Sequence, residues 1–322
     1  MSGPHRAVLV DGVEVEGDWP RPVSPPGPPG AEARAVEARR AERATRFGAT
    51  LRPEDVRVLH EDADAGVLVV LKPAGAYVED VHEALRRSRA DATLTLPHRL
   101  DRDTSGCLAL ATTPEANRSL ARAFREGDVG KTYVARCLPP RDAPAPAEPA
   151  AGAWVEVRTG HGRAAHGLWR VYDRADVGRA LPGRKPSVVK AMATRLLVLN
   201  DAAEAEERPA RSPRFIVAEP ATGRTHQIRL HCAHVGLSLE GDVKYGGRGR
   251  GGSGDEDEDE DEDEDDPGGV RLHAARIELP TSSGGTAVVV APPPAWWPDR
   301  LAAAYPGKSG RAEGAAGRGG GE

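Results

Sequence analysis

The 322-residue chain has three cysteines, two methionines and 4% aromatic residues. No apolar run approaches the ~18 residues that a membrane-spanning helix needs, which excludes such a span and a membrane partner. Cys107, Cys137 and Cys232 form no Cys-x-x-Cys pair. They can build neither a disulfide framework nor a four-thiolate zinc site, and they suit a reducing, intracellular compartment. The opening stretch MSGPHRAVLVDGVEVEGDW has no apolar core of a secretory leader. Its Asp11, Glu14, Glu16 and Asp18 are out of keeping with an acid-poor organellar transit peptide. Cytoplasm or nucleus is the expected location, with an organelle left open.

Positive charge is also short at first sight, because 44 Lys and Arg face 49 Asp and Glu for a net −5. The deficit has one source. Residues 255–266 are twelve consecutive acids, and taking these twelve negative charges out of −5 leaves +7 on the other 310 residues. A basic body can neutralise phosphates, whereas a solid acidic run repels itself and stays solvated. Nucleic acid is therefore a candidate partner.

Prolines crowd residues 18–30, which predicts an extended arm. Residues 31–47, rich in Ala, Glu and Arg, predict a surface helix with i,i+4 charge pairs. Together they make an N-terminal segment over 1–50. A catalytic domain is expected over 51–302, interrupted by a disordered Gly/acidic insertion at 246–269, with a flexible tail over 303–322. Within the domain, apolar runs predict strands over 67–71, 107–111, 132–137, 154–157, 193–199, 214–217 and 287–291. Helical stretches are expected over 80–88, 114–124 and 226–234. Strands in series with scattered helices lack a βαβ rhythm. They predict an α/β fold of the α+β kind, with a central mixed, mostly antiparallel sheet flanked by helices.

The chemistry concentrates in two segments. Pro97-His98-Arg99-Leu100-Asp101-Arg102-Asp103-Thr104-Ser105-Gly106 is a polar turn that runs straight into an apolar strand, a place where a rigid element can present a reactive group. Read alone, it is more often an Asp-containing surface turn. The second segment, Thr222-Gly223-Arg224-Thr225-His226-Gln227-Ile228-Arg229-Leu230-His231, offers a glycine turn and then a helix with a basic first turn. Such a turn can cradle phosphate through backbone N–H groups and the arginine fork, and Arg229 can reach a neighbouring acid. His226, His231, Cys232 and His234 lack a second ligand group at zinc-like spacing, so no metal is expected. Ser105 stands in no Gly-x-Ser-x-Gly elbow.

Six blocks, in order, resemble the RluA-type family of RNA pseudouridine synthases: Lys72-Pro73-Ala74-Gly75, HRLDRDTSG from His98, Lys131-Thr132-Tyr133, TGRTHQIRLH from Thr222, Gly241-Asp242 with Tyr245-Gly246, and Arg271-Leu272-His273-Ala274. Residues 24–26, 72–80, 160–163 and 169–172 are most similar to the plant-type synthase 1 subgroup. The resemblance implies the family's catalytic fold and the isomerisation of uridine in RNA without a cofactor. It assigns Asp101 as the essential carboxylate, attacking ribose or base or removing a sugar proton. It makes Arg229 the partner that keeps this group ionised, and Tyr133 the ring that stacks on uracil, its hydroxyl a candidate for removing the carbon 5 proton. His98 and Arg99 would support the flipped nucleotide. Lys72, Arg102 and Arg224 would contact phosphate. The implied partner is RNA, whether rRNA, tRNA or mRNA, and a monomer is expected. The rival class is a non-catalytic RNA-binding or RNA-remodelling protein that keeps the fold.

Overall fold

The computed structural model describes residues 51–89, 93–138, 151–164, 169–181, 187–199, 212–246, 269–281 and 284–306, together with the backbone of two short strands, β1 (Val8–Val10) and β2 (Val13–Glu14). The predicted arm over 18–30, the helix over 31–47, the acidic run and residues 307–322 lie outside the described residues.

The domain proper starts with β3 (Val58–Asp62) and β4 (Val67–Lys72), then α1 (Val78–Ser88), β5 (Ser105–Ala111) and α2 (Pro114–Glu126). The Thr113 hydroxyl caps α2 by accepting from Ala116 N, Pro114 opens its first turn, and Gly127 closes it at φ 88°, the expected polarity of start and stop signals. Next come β6 (Gly130–Leu138), β7 (Trp154–Arg163), β8 (Trp169–Tyr172), β9 (Ala180–Leu181), β10 (Ser187–Val188), β11 (Lys190–Val198) and β12 (Arg214–Pro220). The described residues close with α3 (Gln227–His234), β13 (Ser238–Leu239), β14 (Leu272–Pro280), β15 (Thr286–Val290) and a 3-10 turn at Asp299–Ala304.

Thirteen strands form one sheet in the order β2-β1-β7-β11-β12-β6-β14-β5-β4-β3, with β8, β13 and β15 paired at its side; β9 and β10 form a separate ribbon. Every named pair in the large sheet is antiparallel except β14 with β5, where His273 faces Ser105 and Ala274 faces Gly106. The mixed, mostly antiparallel α+β fold is therefore the one that the sequence predicts. That parallel contact depends on Gly106. At φ 114° its backbone lies so close to Ala274 that a Cβ would sit 2.2 Å from the Ala274 oxygen, a clash that no other residue avoids.

The core divides around Tyr133, whose ring packs against two apolar clusters. One gathers Leu68, Val70, Val81, Leu85, Leu108 and Leu110 under α1. The other gathers Val155, Val157, Leu196, Ile216, Ile228 and Leu237 under α3. The two halves meet along β6 and β14, and the loops at this seam build the site. Strand β14 lies in the middle of the sheet although the sequence reading assigned it no strand. Arg276 and Glu278 interrupt its apolar run and pair with each other. At the far end Trp297, Leu301 and Tyr305 pack on Phe215, so the packed chain continues beyond Ala302.

Candidate active site

Asp101 stands on the loop that feeds β5. The loop closes on itself through Thr104 N to Asp101 O (3.1 Å) and is bound to the end of β4 through Gly75 N to Arg102 O (2.9 Å). Lys72 adds a second tie. Its Nζ donates to the carbonyls of Pro73 (2.8 Å), Ala76 (2.6 Å) and Arg102 (2.7 Å). This ammonium has 0% exposure, and burial pushes it down to about 7 against the pull of Asp103 and Asp101. Its three donors are matched by three carbonyls. The expected phosphate contact is thus corrected: Lys72 anchors the backbone around Asp101.

The facing wall is the turn before α3. The buried Gln227 side chain accepts from Thr222 Oγ1 (2.7 Å) and Arg224 N (3.0 Å) and donates to Ala193 O (2.7 Å) and Thr194 Oγ1 (2.9 Å). His231, one turn later, places its two ring nitrogens on Thr194 (2.7 Å) and Thr159 (2.9 Å). Both nitrogens being taken up by hydroxyls, His231 has no lone pair to offer a metal. This network sets the helix so that Arg229 points to the seam. There its fork donates to Asp242 from Nε and Nη2, both at 2.7 Å. Nη1 lies 3.7 Å from Asp101 Oδ2. Arg229 was expected to be the direct partner of Asp101; its bidentate partner is Asp242, whose side chain is 1% exposed. Gly241 at φ 78° brings that carboxylate into place, with Gly269 O so near that a Cβ would meet it at 2.3 Å.

Between the walls is a cleft of about 370 Å³ lined by Asp101, Arg99, Lys131, Tyr133, Arg224 and Arg229, with His98, Phe124, Arg125 and His226 around them. Asp101 is the only carboxylate among the described lining residues, against five Arg and Lys side chains. The volume suits a small ligand or one nucleotide, and the charge suits a polyanion. Burial pushes the Asp101 carboxyl above its ordinary value, while Arg229, Arg99 and Lys72 pull it back. Burial and the Asp101 charge hold the Tyr133 hydroxyl well above the ordinary tyrosine range.

A family profile described as RNA pseudouridylate synthase matches residues 64–234. The chain belongs to this family. RNA pseudouridine synthase 1 of Oryza sativa subsp. japonica is 36% identical over 265 residues, 72% of each chain. RNA pseudouridine synthase 1 of Arabidopsis thaliana is 31% identical over 284 residues, 77% of this chain and 81% of the relative. Among solved structures, human RNA Pseudouridylate Synthase Domain Containing 1 shares the fold with a TM-score of 0.51 at 24% identity, covering 76% of this chain and 86% of that one. As a member of the pseudouridine synthases the chain is an isomerase, and RNA is its substrate class.

Within the synthase cleft, two further expectations change. His98 is not a loose loop residue: its Nε2 accepts from Ala109 N (2.9 Å) and its ring stacks on Phe124 at 4.1 Å. Burial drives it down to about 3. It is a neutral anchor of the loop at the cleft wall, with its ring engaged by Phe124 and the Ala109 amide. Arg102 pairs with Asp103 (3.1 Å) and lies 6.0 Å from the Tyr77 ring centre. It is absent from the cleft lining, so its charge is turned to a neighbour instead of phosphate. Arg99 is exposed at the cleft, and Arg224 lines it while giving Nε to Ala191 O (3.0 Å). The Arg224 amide is occupied by Gln227, which removes one of the N–H groups expected to cradle phosphate. The sequence reading named no role for Lys131, Arg125, His226 or Asp242. Lys131 and Asp242 stand inside quoted motifs and were legible as such, whereas Arg125 carries no local signal.

Proposed function

We propose that Asp101 is the essential carboxylate of uridine isomerisation and that Tyr133, Arg229, Arg99 and Arg224 shape and charge the cleft around it. The observation that carries this reading is a single carboxylate among five cationic side chains, beside an aromatic ring, in a nucleotide-sized cleft. The reaction breaks the N1–C1′ bond, turns the uracil and forms C5–C1′. N1 gains a proton and C5 loses one, so no electrons change hands and no redox group is required by the balance.

A nucleotide must leave its stack to reach Asp101, at a cost of a few kcal/mol. Arg99 at the rim and Arg224 on the opposite wall are placed to hold its phosphates. Tyr133 presents a ring face for the uracil. Its hydroxyl, held above the ordinary range, stays protonated at neutral pH, which suits stacking and hydrogen bonding better than base work. The carboxylate of Asp101 is then the available base for the C5 proton once the new bond has formed.

Asp101→Asn tests the assignment. Purified wild type and variant are incubated with cellular RNA, and new pseudouridines are mapped by carbodiimide labelling and primer extension. Wild type is expected to create sites that the variant does not, a loss of at least about 10⁴-fold. A folded variant that retains activity overturns the assignment. The same variant makes a stability prediction. Because the folded carboxyl titrates above its ordinary value, keeping it ionised opposes folding at every pH above that raised value, and the opposition vanishes below the ordinary value. Asp101→Asn is therefore expected to unfold at a higher temperature than wild type at neutral pH, and to lose that advantage in acid.

A further inference from the structure

His226 stands out geometrically. It is the only non-glycine residue with positive φ among those described, at φ 56° and ψ 24°, a conformation that β-carbon sterics disfavour and that persists where the surroundings impose it. Its surroundings are specific. Nδ1 lies 2.7 Å from the Tyr245 hydroxyl, and Nε2 lies 3.9 Å from Asp101 Oδ2, the same oxygen that Arg229 approaches at 3.7 Å. The Tyr245 ring is 8% exposed and lies under the Arg229 guanidinium, 5.1 Å from its centre.

The tautomer follows from these contacts. Burial pushes the imidazole down to about 3, aided by Arg229 and Lys244 and opposed by Asp242, so one ring nitrogen carries a proton and the other does not. The Tyr245 hydroxyl is held protonated, near 12, and the Trp169 backbone faces its oxygen. Its own proton is therefore directed at Nδ1, leaving Nε2 as the N–H. That nitrogen is the one 3.9 Å from Asp101 Oδ2, the oxygen that Arg229 Nη1 approaches at 3.7 Å.

We infer that His226, locked in this tautomer by Tyr245, is a positioning residue that together with Arg229 holds the Oδ2 edge of Asp101. The inference rests on Asp101 as the working carboxylate. The distances of 3.7 and 3.9 Å are longer than hydrogen bonds, and contraction by about 1 Å on substrate binding brings both donors into range, a tightening common in catalytic sites. The other charged groups facing Asp101 are Arg99, Lys72 and Asp242. Asp242 holds two arms of the Arg229 fork, which leaves the third arm and the imidazole beside Asp101 Oδ2.

The test is the titration of the Asp101 carboxyl, followed by carbon-13 NMR and assigned with Asp101→Asn, in wild type, Tyr245→Phe, His226→Asn and His226→Gln. Tyr245→Phe removes the proton that fixes the tautomer and allows an Nε2 lone pair to face Oδ2. His226→Asn removes the donor. Both are expected to raise the titration by roughly half to one pH unit, a threefold to tenfold gain in proton affinity. Where activity is measured, kcat falls about tenfold with KM within about twofold. His226→Gln, whose amide nitrogen replaces Nε2–H, is expected to stay within about threefold of wild type. A titration unmoved in both Tyr245→Phe and His226→Asn overturns the inference, even if both variants unfold more readily. A wild type that titrates as described but forms no pseudouridine overturns the proposed chemistry of Asp101 and leaves the His226 contact standing.

Discussion

Lys72 and Arg229 are the two cations that the fold buries beside Asp101 among the described residues, one on each side of the seam. Lys72 belongs to the apolar half under α1. Its ammonium donates to three backbone carbonyls. Arg229 belongs to the half under α3, where hydroxyls, an amide and imidazoles interlock, and it meets a carboxylate with a planar fork. The contrast follows from the groups. An ammonium on a flexible stem can gather carbonyls pointing in three directions, as at the turn between β4 and α1. A guanidinium imposes one plane on its partner and so fixes orientation. The loop that carries the carboxylate is held in position; the helix that faces it is held in angle.

Removing Lys72 gives the largest expected break in this comparison. In Lys72→Met the stem is replaced, and the carbonyls of Pro73, Ala76 and Arg102 lose their donor in a fully buried place. Orphaned buried groups of this kind cost about 1–3 kcal/mol each, and relief of the buried ammonium, itself pushed down to about 7, offsets part of that, leaving a net loss of about 3 kcal/mol. Denaturant unfolding is expected to show that loss, with activity falling alongside because the Arg102 carbonyl helps to hold the Asp101 loop. A loss under about 1 kcal/mol would mean that the Gly75–Arg102 backbone bond alone fixes the loop.

The α3 half is expected to degrade more gently, because its polar network is redundant. Thr194→Val removes a hydroxyl that serves both His231 and Gln227. His231 keeps Thr159, and Gln227 keeps Ala193 O. The expected cost is about 1.5 kcal/mol, with a kcat change of a few-fold as Arg229 loses some of its alignment. A cost equal to that of Lys72→Met would erase the distinction drawn between the two halves.

The two halves also differed in what the sequence disclosed. The mixed, mostly antiparallel sheet was legible from the apolar runs, and the three helices from the stretches over 80–88, 114–124 and 226–234. Asp101, Tyr133 and Arg229 were legible through motifs, and the structure brings all three to one cleft. Lys72 was misread because a lysine beside Pro-Ala-Gly looks like a turn residue, and lysines are seldom buried; its burial depends on a carbonyl thirty residues away. His98 was misread for a similar reason, since its stacking partner Phe124 comes from α2. The Asp242 contact to Arg229 lies thirteen residues along the chain, beyond any helical spacing, and needs the reversal at Gly241. Strand β14 escaped because its partners, not its own pattern, make it central. The strained backbone of His226 has no counterpart in a string of letters, since φ there is imposed by what surrounds it.

The smallest expected effect lies outside the cleft, where the α3 half extends into the β7–β8 pair. His161 stacks on Trp169 at 4.6 Å and its Nε2 meets Thr225 O, a cleft residue, at 3.0 Å. Arg163 then lies over Trp169 (5.4 Å), and Arg170 and Arg179 lie over Tyr172 (4.6 and 5.4 Å). Arg179 is paired with Asp176, whereas Arg163 is exposed on the sheet margin. These cations gather on the two rings of β8, whose Trp169 stacks on the His161 that contacts the cleft residue Thr225. Arg163→Ala with Arg170→Ala is expected to raise KM about threefold at moderate salt and leave kcat unchanged. Each lost phosphate contact should reduce the steepness of log affinity against log salt by about 0.7. Such contacts add affinity without touching the reacting atoms, so the effect should shrink as salt rises. An unchanged salt slope would confine RNA contact to the cleft itself. A fall in kcat would instead tie the outer pair, through Trp169 and Tyr245, to the alignment of His226 and Asp101.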